Sequence, residues 1–86
     1  MITLTLLTKS DCAWCNDGRK ILKELSLEFP LQIEEVSLDS DHGRRLAAEH
    51  HLMFAPGLIV DQHLVAHGRM SKRALRRDFI HLTETK

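Results

Sequence analysis

The sequence predicts an α/β domain of element order β α β α β β α, and three observations carry that reading. Period-two alternation opens the chain, two later segments space their apolar residues along a helical face, and two short apolar runs flank a turn. In the first, Ile2, Leu4 and Leu6 alternate with Thr3 and Thr5, the pattern of a half-buried strand leading toward Cys12. From Ala13 to Phe29 the apolar residues Trp14, Ile21, Leu22, Leu25 and Phe29 line one helical face, and Pro30 is expected to stop the helix. Leu31 to Leu38 reads as a second strand, best supported over Glu34 to Leu38 because the apolar parity changes between Ile33 and Val36. Asp39 or Ser40 offers a cap for a short helix through Leu46, Ala47 and His50. Leu58-Ile59-Val60 and Leu64-Val65-Ala66 flank Asp61-Gln62-His63, a hairpin pattern without the Asn-Gly signal. Ser71 can cap a last helix, with Leu75, Phe79 and Leu82 facing inward and Arg73, Arg76 and Arg77 outward.

With 86 residues there is room for one domain, residues 1–86, and a core too small to enclose a deep cavity, so the site is expected at the surface. Twelve Lys and Arg balance twelve Asp and Glu, which gives no reason to expect nucleic acid or an anionic membrane as partner. The balance is uneven locally. Residues 28 to 49 carry six acids against two arginines, while residues 69 to 86 carry six bases against two acids, so one end is expected to attract anionic partners. The apolar runs fall far short of the roughly 20 residues that cross a bilayer. Met1 to Leu7 lacks the basic leader, apolar block and cleavage site of a signal peptide, and a cytoplasmic location is expected.

The only cysteines are Cys12 and Cys15, in Cys12-Ala13-Trp14-Cys15. A disulfide closing so short a loop removes little unfolded-state entropy, which makes stabilisation a weak reason for the pair and favours redox or metal chemistry. A thiol reacts as its thiolate, and a free pKa of about 8.5 leaves little of it ionised at neutral pH. The amino end of a helix supplies the missing stabilisation, because unpaired N–H groups and the helix dipole favour negative charge there. Lys9 adds a cation and Asp11 opposes both. On this geometry Cys12 is the exposed nucleophile and Cys15, one turn into the helix, the resolving thiol. The rivals are a Cu(I) or Zn(II) carrier using the same two thiolates and a catalytically idle interaction domain. A copper-carrying ferredoxin-like fold would run β α β β α β and end on a strand. A closed zinc site would need two more ligands, for which His50-His51 is the only compact candidate.

Phe54-Ala55-Pro56-Gly57 precedes the hairpin. It reads either as an ordinary turn before a strand or as a cis Ala55–Pro56 bond opposite the cysteines, where the peptide of Ala55 would pair with an extended substrate. Together with Thr8-Lys9-Ser10-Asp11-Cys12-Ala13-Trp14-Cys15 and the Val60-to-Val65 hairpin, this segment resembles the thioredoxin-fold superfamily, and small glutaredoxin-like proteins most. The resemblance implies a thioredoxin-like α/β fold, βαβαββα with a four-stranded mixed sheet flanked by helices. It implies a disulfide reductase with no bound cofactor, a redox-active Cys12–Cys15 disulfide and no metal. It also implies that Lys9 contacts the glutathione carboxylate and supports the thiolate, and that Ala55, beside Pro56, offers its backbone to the bound thiol.

The departures bear on the reductant. Ala13-Trp14 replaces the usual Pro-Tyr, and His67-Gly68-Arg69-Met70-Ser71 replaces a Gly-Gly followed by acids. The γ-glutamyl ammonium of glutathione would meet Arg69 rather than a carboxylate. Weak glutathione-dependent turnover is expected, with a thioredoxin reductase as the favoured electron donor over glutathione. Trp14 is read either as an exposed rim for partners or as a cover over Cys15. Of the six histidines, His67 alone is placed near Cys12. The protein is expected to act on disulfides of proteins or small molecules, as a monomer.

Overall fold

Strand β1 (Ile2–Thr8) lies second in a four-stranded sheet of order β2-β1-β3-β4, in a computed structural model that describes residues 1–84. It pairs in parallel with β2 (Leu31–Ser37) from Ile2↔Leu31 to Thr8↔Ser37, and antiparallel with β3 (Gly57–Val60) from Leu4↔Val60 to Leu7↔Gly57. Strand β4 (His63–His67) closes the far edge against β3, with a bulge between Leu58 and Ile59. The mixed sheet and the order β α β α β β α are those expected. Because a helix, and not a strand, follows β2, the ferredoxin-like order is excluded. No described helix is long and apolar enough to cross a membrane.

Alternation along β1 explains the two cores. Leu4 and Leu6 join Leu22, Leu25, Leu58, Val60, Met70, Leu75 and Phe79 on one face, between the sheet and helices α1 (Ala13–Leu25) and α3 (Lys72–Glu84). Leu7 joins Val36 and Ile59 on the other, covered by Leu38, Leu46, Leu52 and Leu64 around helix α2 (Asp41–Glu49). The buried face of α1 is Cys15, Gly18, Leu22 and Leu25, spaced three, four and three apart as a helix requires.

Several boundaries depart from the sequence reading. Helix α1 ends at Leu25, not at Phe29. Ser26 Oγ donates to the Lys23 carbonyl at 2.6 Å, and the next amides bond three residues back, Leu27 to Glu24 and Glu28 to Leu25, the tighter 3₁₀ spacing. That turn brings Phe29 edge-on to Phe79, with ring centroids 5.7 Å apart. Strand β2 is regular over its whole length despite its broken parity, because it is an edge strand: Ile33 stands 40% exposed while Val36 is buried. Ser40, not Asp39, caps α2, its Oγ accepting from the Gly43 amide at 2.9 Å. The hairpin turn has two residues, Asp61 and Gln62, with His63 already in β4. Ser71 caps α3 by accepting from the Ala74 amide at 3.2 Å. Arg76 faces outward as expected and there meets Glu28 at 2.8 Å, while Lys72 meets Glu24 at 3.3 Å. The basic carboxyl end is therefore partly neutralised by α1 and the turn after it, which weakens the expectation of anionic partners.

Candidate functional site

Thr8 ends β1, and four residues later Cys12 caps α1. Between them the backbone reverses through Asp11, whose φ of 53° lies in the left-handed region that Asp tolerates better than most side chains. Cys12 itself is extended, with φ −120° and ψ 107°, the usual N-cap geometry. Its Sγ accepts the Cys15 amide N–H at 3.1 Å, and its carbonyl accepts from the Asn16 amide at 3.1 Å. A sulfur thus stands where a capping oxygen normally sits, receiving one of the orphan donors of the helix end. Cys12 is half-buried and Cys15 fully buried, and the two are joined as a disulfide with Cα atoms 5.1 Å apart.

A cavity of about 450 Å³ beside Cys12 is lined by Lys9, Asp11, Cys12, Ala13, Trp14, Leu38, Met53, Phe54 and Ala55. Lys9 and Ala55, picked from sequence, are brought to the cysteines. Pro56 is buried, its peptide with Ala55 is cis, and its carbonyl accepts from the Gly68 amide at 2.8 Å. Gly18 on α1 makes room for Pro56 and Met70: a Cβ there would lie 3.6 Å from Pro56 Cγ and 3.1 Å from Met70 Sδ. Trp14 is 45% exposed. Its ring borders Gly68, where a Cβ would stand 3.5 Å from Trp14 Cζ3, and it lines the rim of the cavity. His67 is exposed at the end of β4 and is not among the residues lining this cavity.

Sequence reasoning missed Met53 and, as a contact surface, Phe54, which are 79% and 60% exposed. Two large apolar residues side by side in a loop were the available signal, since such residues ordinarily seek burial. It also missed Arg19 and Glu35. Arg19 donates Nε to Glu35 Oε1 at 2.8 Å and Nη2 to Oε2 at 2.6 Å, and Thr8 Oγ1 donates to Oε2 at 3.0 Å. The Arg19 hydrogen bonds hold the Glu35 carboxyl below its ordinary range, opposed by partial burial and helped by Thr8. The same bonds raise the Arg19 guanidinium. Among the described residues no group of three or more His, Cys, Asp or Glu side chains is placed to hold a metal ion. A larger cavity, about 650 Å³, lies between α3 and the β3–β4 hairpin, at the other end of the sheet from Cys12.

No protein-family model matches the chain, and no curated protein matches its sequence. Solved structures do match. A mutant thioredoxin from Halobacterium salinarum superposes with a TM-score of 0.76 at 18% identity, covering 99% of this chain and 77% of that one. Mitochondrial thioredoxin 3 from Saccharomyces cerevisiae, in its oxidised form, gives 0.69 at 16%, covering 93% and 77%. Glutaredoxin 1 from Francisella tularensis, complexed with cacodylate, gives 0.59 at 12%, covering 99% and 100%. At such identities the likeness is one of architecture, and the chain is a thioredoxin-like fold with its Cys-x-x-Cys pair at the amino end of the first helix.

Proposed function

We propose that this protein is a cytoplasmic, monomeric thiol-disulfide oxidoreductase that reduces disulfides of proteins or small molecules through Cys12 and Cys15. The observation that carries the reading is the Cys12 sulfur at the N-cap of α1, accepting the Cys15 amide N–H at 3.1 Å. A thiolate there gains from the helix end. In the reduced protein the Cys12 thiolate attacks one sulfur of the substrate, forming a mixed disulfide as the other substrate sulfur leaves and takes up a proton. Cys15 then loses its proton and attacks Cys12 Sγ. The second substrate thiol departs, and two electrons have passed from the dithiol to the substrate.

The surroundings support protein substrates. Trp14, Met53 and Phe54 form an exposed apolar rim, with Ala55 lining the cavity between them and Cys12, and such a rim gains by burial against a partner. For the electron donor, a thioredoxin reductase is favoured over glutathione. Arg69 is exposed just before α3, and a cation there would repel the γ-glutamyl ammonium of glutathione rather than pair with it, which weakens binding. Steady-state reduction of a model disulfide, with thioredoxin reductase and NADPH or with glutathione, tests the reading. Wild type is expected to turn over faster with the reductase, Cys12→Ser to lose exchange, and Cys15→Ser to accumulate a mixed disulfide on Cys12. Trapping on Cys15 instead would reverse the roles, and efficient saturation by millimolar glutathione would overturn the choice of donor.

A further inference from the structure

One carboxylate gathers two side chains for which the exchange chemistry has no use. Thr8 Oγ1, on a residue only 4% exposed, and the two-point fork of Arg19 both donate to Glu35. Arg19 also donates Nη1 to Asn16 Oδ1 at 2.6 Å, and the Asn16 amide donates to the Cys12 carbonyl at 3.1 Å. The loop carrying Cys12 leaves β1 at Thr8 and enters α1 at Ala13. Glu35, on the neighbouring strand β2, therefore ties Thr8, where the loop leaves β1, to Arg19 in the body of α1. Arg19 lies four residues beyond Cys15, about 6 Å along the helix.

We propose that Glu35 and Arg19 are positioning residues of the dithiol site, a charge-neutral clamp that ties the end of β1 to α1 around the Cys12 loop without leaving a net field at the sulfur. The two-point fork fits a planar guanidinium to a carboxylate in a way an ammonium does not match. Both groups stay ionised at neutral pH, since each strengthens the charged form of the other. Their charges largely cancel at a distance, so the pair adds little to what the helix end, Lys9 and Asp11 do at Cys12. Removing one partner unmasks the other. An uncompensated Arg19 favours the thiolate and makes the couple more oxidising; an uncompensated Glu35 does the reverse.

The proposal rests on the reading of Cys12 as the reactive thiolate, and its test reads the sulfur without needing turnover. Thiolate absorbance against pH is recorded for reduced wild type, Glu35→Gln, Arg19→Gln, Arg19→Lys and the double Gln variant, alongside the equilibrium of each with a glutathione redox buffer. Glu35→Gln is expected to lower the Cys12 midpoint and Arg19→Gln to raise it, each by about half a pKa unit, a roughly threefold change in the exchange constant. The double variant is expected to return close to wild type, and Arg19→Lys, which keeps the charge, to recover most of the shift. Shifts of the same sign in both single variants, or no shift while the melting temperature falls, would overturn the proposal and leave the pair a structural strut. Loss of model-disulfide turnover by wild type would remove the oxidoreductase reading while the titrations still judged the clamp.

Discussion

Asp11 precedes Cys12 with a left-handed backbone, and Lys9 and Asp11 both line the cavity at the sulfur. That conformation decides which substitution isolates charge. Asn occupies the left-handed region about as readily as Asp, whereas Ala would add backbone strain. Asp11→Asn is therefore expected to lower the Cys12 pKa, and Lys9→Ala to raise it, each by less than about one unit at a surface-like dielectric. Thiolate absorbance against pH decides, and no movement in either variant would mean that both charges point away from the sulfur. Cys12, Cys15, Lys9, Ala55 and Pro56 could be singled out from the motif and the resemblance it carries, and Lys9, Cys12 and Ala55 do line one cavity. The left-handed backbone of Asp11 could not be singled out, because nothing in the order of side chains marks a single residue that must reverse the chain.

At the scale of elements, the β3–β4 hairpin turns through Asp61 and Gln62, with φ of 50° and 68°. Two consecutive left-handed residues are a type I′ turn, the geometry that matches strand twist and that Asn-Gly fills best. Gln62 has neither glycine's freedom nor the short polar side chain of Asn, so it holds this conformation at a cost. Replacing Asp61-Gln62 with Asn-Gly is expected to stabilise the fold by about 1 kcal/mol, seen in urea as a higher midpoint at unchanged slope. A midpoint that stays or falls would show that Gln62 makes compensating contacts. The three-residue turn read from sequence missed by one position because the missing Asn-Gly removed the signal that sets register. The end of α1 was misplaced for a related reason: Leu25 and Phe29 share a helical spacing, but Phe29 is drawn out of the helix by its packing on Phe79.

For the molecule as a whole, Glu35 joins β2, β1 and α1 through one carboxylate, and its depressed pKa makes that junction acid-sensitive. The sign follows from the depression. A carboxyl lowered on folding contributes stability that is fully present above its unfolded value, about 4.3, and lost as pH falls through the lower folded value. Arg19 and Glu35 are 42% and 40% exposed, so the contribution is the small one of a solvent-screened pair. Glu35→Gln is expected to melt at a slightly lower temperature than wild type at pH 7 and to show a smaller fall in melting temperature between pH 5 and pH 3 than wild type does. Equal falls would assign the acid sensitivity to other carboxylates.

The sequence by itself determined the element order, the helix carrying the cysteines and the placement of Cys12 at its start, since periodicity, caps and motif spacing are local and act within a few residues. Beyond Ala55 and Pro56, tertiary structure decided which distant residues gather around Cys12. Met53 and Phe54 come to Cys12 from the loop before β3, and Thr8, Arg19 and Glu35 converge from three elements. Such meetings depend on strand register and on the angle at which α1 crosses the sheet. A carboxylate on an edge strand looks the same in sequence whether it faces water or a guanidinium, and only the packed chain tells the two apart.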